Sequence, residues 1–273
     1  MNQGKAAPAP TAPKPRPKFR KSNAEKAASE KEHLTLVLTA AETAINILRQ
    51  HNLPAVIFGS LACKLYGNSR CPKDADILVF PPADDINAEI LKQLLVASAP
   101  RLFYLKNARD PAATYRILWF RQPGTSRRET KVDILIPGIM SLPRVPLARI
   151  RWVSGLPLAP FCFILLHKLK GWADHRDAPE AFKRARQSTD AADVRRLLDI
   201  ATEMRVLQAA QSWWEDADLF DAELQADSVV RVRAYCVEFP GRAQRWRSLG
   251  FDIPELDAPK PDVTVVPEPG IAA

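Results

Sequence analysis

Three aspartates lie in or beside apolar segments, where a carboxylate needs a specific reason. Asp74 and Asp76 are two residues apart at the start of the apolar run 77–79, so in a strand both project from one face. Asp133 interrupts the otherwise apolar segment 132–136. If the two strands pair, cross-strand neighbours lie about 5 Å apart, and three carboxylates could hold two metal ions roughly 4 Å apart. Magnesium prefers such oxygen ligands and keeps positions for phosphates, so these residues suit metal-assisted phosphate chemistry.

Each aspartate also has a simpler interpretation. Asp74 and Asp76 could belong to a solvated turn before a strand, because two neighbouring carboxylates are stable wherever water reaches them. Asp133 could be a strand-end residue paired with Lys131 or with an arginine. The metal interpretation is favoured by the combination of the three acids with the motif described next.

A glycine-serine pair follows the apolar run 55–58, which predicts a buried strand that turns sharply at Gly59. Residues 61–65 are compatible with a helix, which Ser60 would cap. The free N–H groups of the first helical turn and the Ser60 hydroxyl would then converge on an anion such as a triphosphate. Taken alone, a Gly-Ser pair between a strand and a helix is more often only a turn and a cap.

Together these segments resemble the nucleotidyltransferase superfamily that includes DNA polymerase beta. Its pattern is a Gly-Ser pair, a short helix, Asp-x-Asp in a strand and an Asp in a later strand. The stretch 58–70 is most similar to the small-domain members, namely minimal nucleotidyltransferases, toxin–antitoxin enzymes and a group of uncharacterised fungal proteins. The resemblance covers about residues 34–200. It implies an α+β fold with a small mixed central sheet, followed by an all-helical C-terminal part.

The resemblance also implies roles for individual residues. Lys73 departs from the family pattern, in which a small Ser or Thr more often precedes the acid pair, and it could screen the carboxylates. Lys168 lies in a helical Lys-Leu segment that relatives use for nucleotide phosphates, with Lys170 as the substitute. The implied assignments are triphosphate contacts from Gly59, Ser60, Arg70 and Lys168, and catalytic, metal-holding carboxylates at Asp74, Asp76 and Asp133.

The implied function is a metal-dependent enzyme that transfers a nucleoside monophosphate from a nucleoside triphosphate to a hydroxyl acceptor, with Mg²⁺ or Mn²⁺ as cofactor. Asp133 is the candidate to help deprotonate the attacking hydroxyl. The acceptor stays open between RNA ends, proteins and small molecules. Two alternatives also stay open: a catalytically inactive nucleotide-binding or regulatory protein on the same fold, and a nucleic-acid-binding adaptor that acts through a basic N-terminal tail.

Charge and proline are unevenly distributed along the 273 residues, whose net charge is +8. Residues 1–31 contain eight Lys or Arg against two Glu and are rich in proline, which predicts a disordered tail with a weak affinity for polyanions. A second disordered tail is predicted over 251–273. Between the tails we predict an α/β domain over 32–160 and a helical domain over 161–250.

The four cysteines are scattered without metal-ligand spacing, which predicts buried thiols in a reducing compartment, either cytoplasmic or nuclear. His167 and His175 are predicted to lie on the surface of one helix. No segment approaches the roughly 18 apolar residues of a membrane span.

Periodicity and cap residues predict the remaining elements. In chain order they are a helix over 32–50, a helix capped by Asp84 or Asp85 and ending near 98, strands over 102–104 and 114–120 with alternation at Tyr115, Ile117 and Trp119, a small strand at 151–153 inside an irregular crossover over 137–160, and helices over 161–174, 190–210 and 226–239.

Overall fold

The computed structural model describes residues 22–83, 85–108, 113–124, 128–203, 207 and 213–254. Within them a seven-stranded mixed sheet has the order β3-β4-β5-β2-β1-β7-β6. The strands are β1 Ala55–Phe58, β2 Ala75–Val79, β3 Phe103–Asn107, β4 Arg116–Arg121, β5 Glu129–Leu135, β6 Arg151–Val153 and β7 Leu156–Leu158.

The centre of the sheet consists of three strands with two kinds of pairing. β2 runs antiparallel to β1 on one side and parallel to β5 on the other. On its far side β1 pairs in parallel with β7, through Ile57 and Leu158. Most residues of β1 and β2 are buried, as expected for central strands that are covered on both faces.

Helices pack against this sheet and then against one another. Early in the chain α1 packs against β1, β2 and β5, and later α4 packs against α6 and α7. Within the described ranges, every helix is too short or too polar to span a membrane. The helices are α1 Asn23–Gln50, α2 Gly59–Leu65, α3 Ala88–Ser98, α4 Phe161–Arg176, α5 Ala181–Arg184, α6 Gln187–Glu203, α7 Ala222–Glu238 and α8 Ala243–Ser248.

One continuous hydrophobic core joins the sheet to the C-terminal helices. Residues of β1 such as Ile57 belong to the same buried cluster as Trp172 of α4 and Trp246 of α8. The predicted fold class, an α+β sheet followed by helices, is therefore confirmed. Residues 1–21 and 255–273, which contain most of the two predicted tails, lie outside the described residues.

The first helix begins earlier than predicted, at Asn23 rather than near Glu32. Ser22 accepts a hydrogen bond from the Glu25 backbone, and the Glu25 side chain accepts one from the Ser22 backbone, which together form a capping box. Alanine, glutamate and lysine over the following residues continue the helix. The start of the helix at Asn23 was missed because the basic composition of residues 1–31 predicted a disordered tail.

Three other elements differ from the prediction. The third helix is capped by Asn87, whose side chain accepts from the backbone N–H groups of Glu89 and Ile90, and not by Asp85. Asp84, the other predicted cap, lies outside the described residues. In β4 the buried residues are Leu118 and Phe120, so the predicted alternation of Tyr115, Ile117 and Trp119 marks the opposite face. Strand β7 was not predicted because Pro157 lies at its centre.

The four cysteines are all free thiols in the structure. Cys63, Cys162 and Cys236 are buried, as predicted, whereas Cys71 is partly exposed. Burial raises the pKa of the Cys63 thiol to about 12, so this group stays protonated at neutral pH.

Candidate functional site

The turn from β1 into α2 is made by Gly59, whose φ of +57° lies in the left-handed region. A Cβ added to Gly59 would overlap the Oδ2 atom of Asp76 and lie 2.7 Å from its carboxyl carbon. Glycine is therefore needed here for two independent reasons, backbone conformation and close approach. The turn and the Asp76 carboxylate form one packed unit.

Ser60 does not cap the helix, which corrects the prediction. Helix α2 already begins at Gly59, its N-cap is Phe58, and no side chain makes a capping hydrogen bond. Because the chain turns at Gly59 itself, Ser60 becomes the second residue of the helix rather than its cap. Ser60 nevertheless stays partly exposed next to the turn.

Asp76 and Asp133 lie side by side in the centre of the sheet. They are register partners in the parallel pair β2 and β5, so their side chains project from the same face. Asp76 is also the register partner of Phe58, the last residue of β1 before the Gly59 turn. Asp74 lies just before β2, which begins at Ala75, and is therefore at the edge of this pair rather than in the strand.

The carboxylates influence one another electrostatically. Burial raises the pKa of Asp76 to about 7, and the charges of Asp74 and Asp133 add to the rise. Burial also raises the pKa of Asp133, with a contribution from Asp74, although Lys131 opposes it. The three acids therefore form a cluster in which negative charge accumulates.

Lys131 partly neutralises this cluster. Its Nζ atom lies 2.5 Å from Oδ2 of Asp133, two residues along β5 on the same face. The pairing of Asp133 with Lys131, one of the simpler interpretations of the sequence, is thus present. In the described part of the chain no group of three or more His, Cys, Asp or Glu side chains is arranged to hold a metal ion.

A second cluster surrounds Asp193 of α6, whose side chain is only 1% exposed. Arg70 donates to both of its oxygens, from Nε at 2.8 Å and from Nη2 at 2.5 Å. Lys168 Nζ lies 3.0 Å from Oδ2, and Asn68 Nδ2 donates to Oδ1 at 3.0 Å. Burial alone would raise the pKa of Asp193, but these partners keep it below its ordinary value.

In this second cluster the Asp193 carboxylate contacts both Arg70 and Lys168, which were predicted to contact phosphate. No role had been predicted for Asp193. Lys168 also lies 3.7 Å from Asp190, which in turn contacts Nδ1 of His175 at 2.6 Å. The Lys168 charge lowers the pKa of Asp76, so helix α4 acts electrostatically on the acid cluster. Lys170, the predicted substitute, pairs instead with Asp174 at 2.6 Å.

His167 is not a surface residue, contrary to the prediction. Its ring packs against Phe58 and Phe163, with centroids 5.4 and 4.4 Å away. Burial, together with the nearby Lys170 charge, lowers its pKa to about 3, so the ring is neutral. His167 thus packs behind the last residue of β1 and supports the turn.

Two surface grooves lie away from the acids. An apolar groove of about 340 Å³ is lined by residues of α1 and β7, including Ile45 and Pro157, and by Trp152 of β6. A groove of about 330 Å³ lies between α6 and α7 and includes Arg195. Neither is lined by Asp74, Asp76 or Asp133.

Replacing Gly59 by alanine is expected to destabilise the protein by about 2–4 kcal/mol, because the new methyl group meets Asp76 in a conformation that is already unfavourable for alanine. The measurement is urea unfolding of the variant and the parent protein. Gly138→Ala is the matched control, since φ is +86° there but no atom lies within 4 Å of the added Cβ. Equal losses in both variants would show that the contact with Asp76 has no cost.

No protein family and no curated protein matches this sequence. Among solved structures, the chain is similar to an antigenic nucleotidyltransferase-like protein from Paracoccidioides brasiliensis, with a TM-score of 0.56 and 15% identity over 81% of this chain and 95% of that one. The antibiotic-resistance factor ANT(2'')-Ia overlaps 79% of this chain and 98% of its own, at 11% identity and a TM-score of 0.37. The first likeness shows a shared fold, and the second adds nothing to it.

Proposed function

We propose that this chain, which has the fold of a nucleotidyltransferase-like protein, is a metal-dependent nucleotidyltransferase that moves a nucleoside monophosphate from a triphosphate to a hydroxyl acceptor. The observation that carries the proposal is the register of Asp76 with Asp133 beside the Gly59 turn. Two carboxylates on one face of a buried sheet repel each other, and a divalent cation would relieve this repulsion. Such an arrangement is costly for a protein that does not bind a cation there.

The donor chemistry suits Mg²⁺ or Mn²⁺. Asp76 and Asp133 offer neighbouring carboxylate oxygens, and Asp74 offers a third carboxylate at the edge of this pair. Two carboxylates are enough for Mg²⁺, which takes its other ligands from water and phosphate. The pKa of Asp76 is raised mainly by burial and further by the charges of Asp74 and Asp133, and a cation would offset the effect of these charges. When bound, the metal would neutralise phosphate charge and lower the pKa of the attacking hydroxyl. The Gly59 backbone lies so close to Asp76 that a side chain at position 59 would not fit between them.

The triphosphate would lie between the two clusters. On one side Gly59 and Ser60 present the start of α2, and on the other Arg70 and Lys168 present positive charge. Both cations share Asp193, and Lys168 also lies 3.7 Å from Asp190, so phosphate oxygens would compete with these carboxylates for Arg70 and Lys168. The Arg70 side chain is 31% exposed, which leaves part of its guanidinium accessible to solvent.

The reaction then follows from position and charge. The acceptor oxygen attacks the α-phosphorus in line, the bond from this phosphorus to the bridging oxygen breaks, and pyrophosphate leaves. The hydroxyl proton passes to Asp133, whose raised pKa makes it a better base than an ordinary carboxylate. The acceptor stays open between RNA, protein and small molecules.

One observation favours a second candidate, a nucleotide-binding protein without catalytic activity on the same fold. Asp133 is paired with Lys131, and an ammonium group near a catalytic carboxylate reduces both its basicity and its affinity for metal. In this case a triphosphate would bind between the clusters without being turned over.

The two candidates are distinguished by incubating purified protein with each labelled nucleoside triphosphate, Mg²⁺ and cell extract, followed by mass analysis of the products. We expect one class of molecule to gain a nucleoside monophosphate, and pyrophosphate to be released in equal amount. An Asp133→Asn variant should give no product. Saturable triphosphate binding without any product from the parent protein would support the inactive candidate instead.

A further inference from the structure

The positive charge beside the three acids is the ammonium group of Lys131. Lys131 Nζ contacts Asp133, and the Lys131 charge also lowers the pKa of Asp76. The parallel register pairs Ala75 with Val132 and Asp76 with Asp133, which places Lys131 beside the position of Asp74. Lys131 therefore lies next to the whole acid cluster and not only next to its nearest partner.

Three neighbouring carboxylates without a cation would repel one another and weaken the pairing of β2 with β5. An ammonium group on the same face offsets this repulsion while no metal is bound. A metal ion at the same carboxylates would meet an unfavourable positive charge in this position. Lysine and metal therefore compete for Asp133.

The Lys131–Asp133 pair is suited to exchange. The two side chains are 36% and 32% exposed, so water and ions reach both. Ion pairs with this degree of exposure are weak, since solvent screens them. Lys168 differs, because it is only 15% exposed and lies near two carboxylates, Asp190 and Asp193.

We propose that Lys131 is a displaceable counter-ion that occupies Asp133 until a divalent cation binds, and that its charge thereby sets the metal affinity of the site. The proposal rests on the proposed function, because it requires that the acid cluster binds a metal. When the metal binds, the Lys131 ammonium group leaves Asp133 and becomes hydrated. The side chain is thus a positioning residue that acts through Asp133.

The test is a Mn²⁺ titration of the full chain, followed by the electron paramagnetic resonance signal of free Mn²⁺. We compare the parent protein with Lys131→Met and with a control, Lys73→Met. Lys73 is an exposed lysine directly before Asp74, so the control makes the same change in charge close to the cluster. We expect Lys131→Met to bind Mn²⁺ about tenfold more tightly than the parent, and Lys73→Met to stay within about twofold of it.

A second readout is thermal unfolding. Without divalent cations Lys131→Met should unfold at a lower temperature than the parent, and added Mn²⁺ should raise its Tm by a larger amount. Lys131→Gln, which keeps a polar side chain, replaces the methionine variant if the latter does not fold. A role of Lys131 in stability alone would lower Tm and leave the Mn²⁺ affinity unchanged.

Unchanged or weaker Mn²⁺ binding by Lys131→Met would overturn the proposal. An equal gain in Mn²⁺ affinity in Lys73→Met would also overturn it, because the effect would then depend only on the net charge of the protein. If the parent protein transfers nucleotides and binds Mn²⁺ with the affinity of Lys131→Met, only the role of Lys131 is rejected. If no folded variant binds Mn²⁺, the metal site of the proposed function is rejected as well.

Discussion

Replacing Asp76 by asparagine should reduce nucleotide transfer at least about a thousandfold and leave the protein folded, because the change is nearly isosteric and removes one charge from the centre of the acid cluster. Asp76 is the carboxylate that adjoins both the Gly59 turn and Asp133. Transfer is measured with the labelled triphosphate that the parent protein uses. Substantial transfer by the folded variant would show that the reaction takes place elsewhere.

The same substitution should change how stability depends on pH. The pKa of Asp76 is raised from 3.8 to about 7 in the folded protein. The folded state therefore holds a proton that the unfolded state has lost, and the free energy of unfolding falls as pH rises from about 4 to about 7. Without divalent cations, we expect the parent to lose roughly 2–4 kcal/mol more than Asp76→Asn over this interval.

Urea unfolding at pH 4 and pH 7, in the presence of a chelator, measures this difference. Asp74→Asn is the matched control, since Asp74 lies outside the strand and contributes mainly through its charge. It should flatten the pH dependence only in part. Parallel pH profiles for the parent and Asp76→Asn would mean that Asp76 is ionised at an ordinary pKa.

Replacing Asp193 by alanine should cost about 3–5 kcal/mol of stability, since removing one partner of a buried ion pair leaves the other charge uncompensated. Asp193 accepts hydrogen bonds from Asn68 and Arg70, and Lys168 Nζ lies 3.0 Å away. The Asp193 carboxylate thereby connects the loop that contains Asn68 and Arg70 to helices α4 and α6. Urea unfolding at neutral pH measures the loss.

Asp227→Ala provides a comparison. Asp227 pairs with Arg231 on α7, but its side chain is 48% exposed, so its removal should cost no more than about 0.5 kcal/mol. A loss below about 1 kcal/mol for Asp193→Ala would mean that Arg70 and Lys168 find other partners when the carboxylate is removed.

The turn and the acid-bearing strands could be predicted from the sequence because their signals are local. An apolar run that ends at a glycine predicts a strand and a turn, and an acid inside an apolar segment is conspicuous. The register that places Asp76 beside Asp133 is different, because strand pairing depends on the whole sheet. From the sequence, this register could be stated only on the condition that the two strands pair. The sequence equally allowed the pairing of Asp133 with Lys131, which the structure contains.

Asp193 was missed for a physical reason. On an amphipathic helix several acids share the polar face, and the sequence does not show which one turns toward a buried arginine and lysine. The spacing of Asp190 and Asp193, one turn apart and downstream of Lys168, was the available signal. His167 was misplaced for a similar reason, since α4 is buried over most of its circumference and its polar residues are not confined to one face.

The position of β7 has a consequence for how the chain folds during synthesis. β1 pairs with β7, and the Ala159 N–H donates to the Ile57 carbonyl at 3.0 Å, although about a hundred residues separate them. While translation proceeds, β1 has an open edge until the ribosome has released Leu158 and the start of α4. High contact order of this kind slows folding and leaves a strand open to pairing with other chains. Completion of β7 is therefore the event that closes this edge of β1.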